Sequence, residues 1–216
     1  MKYAITVDKL VKRFEDNEVL RSISMNFEQG RIYGIVGRNG SGKSVLLKCI
    51  AGLVVPTSGE ITVLGKRIGK DADFAPNTGI AIEQPGLLLK KSAYENMKTL
   101  AALTHKPSDE EINRLISMVG LNPKEKKAVG KYSMGMKQRL SIAMAMLGDP
   151  AILLLDEPMS NLDVAAADEM RELYRKLAQQ GKTILIATHV KEDVSELCES
   201  ICRIENGEAI TMDNEH

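Results

Sequence analysis

The 216-residue sequence predicts an α/β fold: a mainly parallel sheet, an N-terminal antiparallel β layer and an inserted helical lobe. Three observations carry this expectation. After residue 150, short all-apolar runs alternate with helix-like segments, as parallel strands covered on both faces do. Near the N-terminus, β-forming residues alternate apolar with polar. Between residues 92 and 147, two S-x-x-E capping boxes open helices with no strand between them.

Taken in order, 2–7 (KYAITV) and 22–28 (SISMNFE) read as strands of the antiparallel layer. RIYGIV, 31–36, is a strand that runs straight into glycine. In KSVLLKCIAGL, 43–53, Val45, Leu46, Cys49 and Ile50 have helical spacing, and VVPTSG ends the helix. GEITVLGKRI, 59–68, reads as strand and turn, and GIAIE, 79–83, as a strand. Ser92 with Glu95 and Ser108 with Glu111 then open two helices, the second closed by Gly120. The alternation resumes with strand 151–157, a helix from about Leu162 to Gln180, strand 183–188, a helix over 191–200 and strand 201–206. The expected organisation is one domain over 1–216, with its core in 1–84 and 148–216 and its lobe at about 85–147. ENGEAITMDNEH reads as a short tail with no regulatory domain.

Lys plus Arg and Asp plus Glu number 29 each, so no net field points to nucleic acid or to an anionic surface. No apolar run approaches the roughly 20 residues that cross a bilayer. The first ten residues lack the apolar core of a signal peptide, so a cytosolic chain is expected. Cys49, Cys198 and Cys202 form no CxxC pair and read as buried or half-buried thiols.

GRNGSGKS, 37–44, matches G-x-x-x-x-G-K-[ST] between a strand and a helix, which makes the core that of a phosphate-loop NTPase. Gly37, Gly40 and Gly42 let the loop, with Arg38, Asn39 and Ser41, turn its N–H groups inward around phosphates. Lys43 reaches the β- and γ-phosphates, and the Ser44 hydroxyl suits Mg²⁺. ILLLDEP, 152–158, is a buried strand ending in two carboxylates. Asp156 is placed to hold Mg²⁺, and Glu157 to polarise the attacking water. His189 ends a strand expected to lie parallel to that one, which favours a γ-phosphate contact. Gln84 ends GIAIE and offers a carbonyl to Mg²⁺ or to water.

GRNGSGKS, Gln84, YSMGMKQR (132–139), ILLLDEP, SNLD (160–163) and His189, in this order, resemble the nucleotide-binding subunits of ATP-binding cassette (ABC) transporters over essentially the whole chain. YSMGMKQR is similar to that family's signature, keeping Ser133 and Gly135 while Met134 and Met136 depart from it. The resemblance implies ATP and Mg²⁺ as cofactors, Phe14 stacking on adenine, and Asp163 within the nucleotide site. It also implies head-to-tail pairing with a second copy or a paralogous ATPase subunit, each ATP lying between one phosphate loop and the other chain's signature.

Transmembrane partners would be separate chains, and the subunit would sit on the inner face of the cell membrane. The compact form resembles bacterial exporter subunits. PGLLL, 85–89, falls where the family receives its membrane partner, although Leu87, Leu88 and Leu89 could equally pack inside the lobe. A soluble ABC ATPase of cluster assembly, repair or translation is the alternative; a phosphate-loop kinase would have no use for the signature.

Overall fold

The computed structural model describes residues 2–83, 86–103, 107–190 and 192–213. The chain runs β1 (Tyr3–Phe14), β2 (Asn17–Glu28), β3 (Ile32–Val36), α1 (Lys43–Ala51), β4 (Ser58–Val63), β5 (Lys66–Arg67) and β6 (Thr78–Ala81). It continues with α2 (Ala93–Ala101), α3 (Asp109–Met118), α4 (Met134–Ala145), β7 (Ile152–Asp156) and α5 (Val164–Gln179). It closes with β8 (Thr183–Thr188), α6 (Glu192–Ser195), β9 (Ser200–Glu205) and β10 (Glu208–Asp213).

One sheet is four-stranded and antiparallel, in the order β2-β1-β4-β5; the other is six-stranded, in the order β10-β9-β3-β8-β7-β6. In the second sheet every pairing from β9 to β6 is parallel, and β10 alone is antiparallel. β3, β8 and all of β7 but its last residue are buried, so they lack the polar alternation of a one-sided sheet. Their side chains still divide by period two. Ile152, Leu154, Leu185 and Ala187 face α1 and the antiparallel sheet, whereas Leu153, Leu155, Ile184 and Ile186 face α5 and the lobe helices.

The first capping box is complete, with Ser92 accepting from the Glu95 N–H and the Glu95 carboxylate accepting from the Ser92 N–H at 2.8 Å. Ser108 likewise caps α3 through the Glu111 N–H. All three cysteines are buried.

The structure departs from the sequence expectation in three places. β1 and β2 extend well beyond 2–7 and 22–28, through segments rich in charge. There Arg13 pairs in register with Glu18 and Phe14 with Asn17, and an Arg13–Glu18 ion pair of 2.7 Å replaces the apolar pattern that normally marks a strand. The helix expected over 191–200 is only Glu192–Ser195, because Ser200 already pairs with Tyr33 in β9. The expected tail is β10, joined to β9 by a two-residue turn in which Asn206 and Gly207 have φ of 51° and 81°. Asn-Gly between strands favours that turn, so the signal was present in the sequence.

Candidate functional site

β3 delivers the chain into the loop 37–42, which folds tightly against its surroundings. A Cβ on Gly37 would lie 2.5 Å from the Ile204 carbonyl oxygen. Gly42 has φ of 105°, and a Cβ there would lie 2.7 Å from Leu20 Cδ2. Gly37 is therefore required by the packing of the loop, against a backbone carbonyl, and Gly42 by its left-handed turn. Lys43 opens α1 and is only 5% exposed, and its Nζ bonds back to the carbonyls of Gly37 at 2.9 Å and Arg38 at 3.2 Å. A helix N-terminus and a buried ammonium thus converge on one concave loop, a geometry suited to anions.

β7 and β8 lie side by side with Asp156 opposite Ala187, which brings Glu157 against Thr188 and His189. Both oxygens of the Glu157 carboxylate are engaged. Oε2 accepts from the Thr188 hydroxyl at 2.9 Å, and Oε1 accepts from the His189 backbone N–H at 3.0 Å and lies 2.8 Å from His189 Nδ1. An ionised carboxylate only accepts, so Nδ1 carries a proton here and Nε2 is turned to other use. Glu157 itself has φ of 49°; its N–H bonds Ala187 O at 2.8 Å and its carbonyl accepts from Gln138 Nε2 at 3.3 Å.

Asp156 is more deeply set. Burial pushes its carboxyl pKa up, opposed by a hydrogen bond from the Ser44 hydroxyl. Its Oδ1 is buried without a hydrogen-bond partner among the described residues. An orphaned carboxylate oxygen beside a hydroxyl, under a phosphate loop, fits the oxygen donor set that Mg²⁺ takes.

A cleft of about 990 Å³ opens in front of the loop, lined by Asn17, Val19, residues 36–41, His189 and the 205–207 turn, with Arg203 at its side. It thus gathers Gly37, Arg38, Asn39, Gly40, Ser41 and His189. Phe14, at the end of β1, is 46% exposed, with Lys12 Nζ 4.6 Å from its ring centre on one face.

Ser133, Gly135 and Asp163 do not line this cleft. Ser133 is exposed and caps α4, accepting from the Met136 N–H at 3.1 Å; Asp163 caps α5, accepting from the Ala166 N–H at 2.8 Å. Gly135 is buried, and a Cβ would lie 2.6 Å from Asn161 O, so packing within the chain already requires glycine there. Met136 packs against the core, while Met134 is 48% exposed. Gln84 lies outside the described residues, as does Pro85.

A family model described as ABC transporter matches residues 20–160. The chain belongs to the ABC transporter family. It is 40% identical over 209 residues to YybJ of Bacillus subtilis (strain 168), an uncharacterized ABC transporter ATP-binding protein, covering 97% of this chain and 96% of that one. It is 35% identical to SrtF of Streptococcus pyogenes, a lantibiotic transport ATP-binding protein, covering 95% and 89%. The dimeric structure of MJ0796, a bacterial ABC transporter cassette, superposes with a TM-score of 0.90 over 98% of this chain and 99% of that one; at 24% identity this shows the fold. The chain is an ATP-binding, ATP-hydrolysing subunit of an ABC transporter.

Within this ABC subunit, two side chains at the site escaped the sequence reading. Gln138 on α4 touches the backbone of Glu157, a link no local pattern announces. Thr188, like Thr183 at the other end of the strand, is a polar residue 1% exposed, and a buried hydroxyl needs a partner. That rule could have singled it out. No described helix is long and apolar enough to cross a membrane.

Proposed function

We propose that this subunit closes on ATP and Mg²⁺ by stacking head to tail with a second copy or a paralogous subunit. It then drives export through separate membrane subunits from the cytoplasmic face. The observation that carries this reading is the separation of two half-sites on one chain. Residues 37–41 of the loop and His189 line the cleft, with Lys43 bonded to the back of that loop, whereas Ser133 stands exposed at the N-terminus of α4, outside the cleft. A hydroxyl and backbone N–H groups at a helix start form an anion site that lacks only a phosphate, which another chain's loop can bring.

In the closed site the Lys43 ammonium and the α1 N-terminus hold the β- and γ-phosphates, and Phe14 offers its free face to adenine. Ser44, Asp156 and Gln84 are the residues that would hold Mg²⁺, which supplies charge compensation on the phosphate oxygens. Water attacks the γ-phosphorus as its proton passes to Glu157, and the bond to the β-bridging oxygen breaks to release ADP. His189, with Nδ1 tied to Glu157, presents Nε2 toward the γ-phosphate. The assignment of Asp156 predicts that Asp156→Asn, by removing a buried charge, raises the melting temperature without nucleotide and abolishes the extra stabilisation that Mg²⁺ adds to ATP. Thermal melts with ATP, with and without Mg²⁺, measure both. Equal Mg²⁺ stabilisation in the two proteins would remove Asp156 from the metal site.

SrtF's role in lantibiotic transport favours an amphiphilic peptide as cargo, and it weighs against a soluble, non-transport ATPase. The core and lobe division at about 85–147 fits the run of α2, α3 and α4 along the chain with no strand between them, although α4 packs against β6. The lobe's rim offers a docking surface. Leu88 and Leu89 are 41% and 54% exposed, while Leu87 packs against the core. Asn96, 2% exposed, fixes this rim by accepting from the Leu88 N–H at 2.7 Å and donating to the Leu88 carbonyl at 3.2 Å. Leu88→Asp and Leu89→Asp are expected to leave folding and basal ATPase intact while abolishing cargo-dependent transport and co-purification of the membrane subunit. Leu87→Asp is expected to destabilise the lobe. Transport that survives both rim changes would move the docking surface elsewhere.

A further inference from the structure

Thr188 ends β8 with its hydroxyl in two hydrogen bonds: 2.9 Å to Glu157 Oε2 and 3.1 Å from the Val190 N–H. The second bond fixes the direction of the first. The Val190 N–H can only donate, so it occupies a lone pair on Oγ1, and the single hydroxyl proton goes to Oε2. Oε1 is meanwhile held by His189 alone, through its backbone N–H and Nδ1. The Glu157 backbone is pinned by Ala187 O and Gln138 Nε2, leaving the side-chain torsions as the remaining freedom of the carboxylate. If the His189 ring turns toward a phosphate, the Thr188 hydroxyl on Oε2 and the His189 backbone N–H on Oε1 still hold the carboxylate, and Thr188 is the side chain among them.

We propose that Thr188 is a positioning residue for ATP hydrolysis, its hydroxyl fixing the plane of the Glu157 carboxylate so that the remaining lone pair on Oε2 faces the attacking water. This rests on the reading of Glu157 as the base. Valine has nearly the shape of threonine, so Thr188→Val fills the same space while removing the hydroxyl's two hydrogen bonds, to Glu157 and from the Val190 N–H. The hydroxyl's one proton is committed to Glu157, so it acts through Glu157.

The test uses the full chain with ATP and Mg²⁺, comparing Thr188→Val with Thr188→Ser. Misplacing a catalytic group by a fraction of a bond length is expected to cost Thr188→Val on the order of 10- to 100-fold in kcat, with KM within about twofold. Because ATP still binds, the variant should accumulate the ATP-bound dimer in gel filtration, as is expected of Glu157→Gln. Thr188→Ser, which keeps the donor, should recover kcat to within about threefold of the parent. In a Glu157→Gln background, Thr188→Val should slow hydrolysis by less than about twofold more, since both changes act on the same group.

Unchanged kcat in Thr188→Val overturns the proposal. So does a serine variant no faster than the valine one, or a full multiplicative loss in the double variant. If the valine protein does not fold, Thr188→Cys replaces it, and the expected order of kcat is Thr, Ser, then Cys; any other order counts against the hydroxyl. Hydrolysis that survives Glu157→Gln would instead strike at the reading of Glu157 as base. Slowing by Glu157→Gln but not by Thr188→Val would strike at Thr188 only.

Discussion

Glu157→Gln is expected to bind ATP, to hydrolyse it on the order of 100- to 10,000-fold more slowly, and to accumulate an ATP-bound dimer. The amide keeps the shape of the carboxylate but cannot take a proton from water at neutral pH. Its oxygen can still accept from Thr188, while its NH₂ falls where Oε1 accepted from the His189 backbone N–H. Two donors then face each other, and His189 Nδ1 must shift to its unprotonated form to accept from the amide. The loss of one hydrogen bond sets the cost in stability at about 1 kcal/mol, small enough to leave the fold intact. Steady-state turnover and gel filtration with ATP and Mg²⁺ measure the two halves of the expectation. Near-parental turnover would contradict the base role, and a purely monomeric variant would contradict closure of two copies on ATP.

The parts of the site legible in sequence were those that local chemistry dictates. GRNGSGKS declares itself because a loop that turns its N–H groups inward needs glycine at set positions, and Gly37 and Gly42 meet neighbours that exclude a side chain. Asp156 and Glu157 were visible as two carboxylates ending an apolar strand, and the parallel neighbour ending in His189 followed from strand–helix alternation.

What stayed hidden depends on residues brought together across the sheet. Thr188 and Glu157 are 31 positions apart, and Gln138 and Glu157 are 19 apart; only the register of β7 on β8 and the seat of α4 make them neighbours. Gly135 was read as a ligand-binding glycine, and the Asn161 carbonyl beside it is a second reason for glycine there, visible only in the fold. The distal halves of β1 and β2 were masked by charge. β10 was announced by Asn206-Gly207, but the sequence reading ended its last named strand at 206 and did not use that turn.

The central claim is that each ATP is held between two chains, and Lys43 and Ser133 test it together. Lys43→Ala removes a buried ammonium and leaves the carbonyls of Gly37 and Arg38 without their donor, so ATP affinity is expected to fall by on the order of 100-fold or more. Ser133→Ala removes the exposed cap of α4 and the hydroxyl that would meet the γ-phosphate of the other chain's ATP. Each variant alone should fail to trap nucleotide in a closed dimer. A mixture of the two forms dimers in which one site combines the intact Lys43 of one chain with the intact Ser133 of the other, while the second site collects both defects. Nucleotide trapping in differently tagged, purified mixed dimers is the decisive measurement. The account predicts recovery to one trapped ATP per mixed dimer. No recovery, with mixed dimers demonstrated by both tags, would mean that Ser133 serves its own chain or no nucleotide at all.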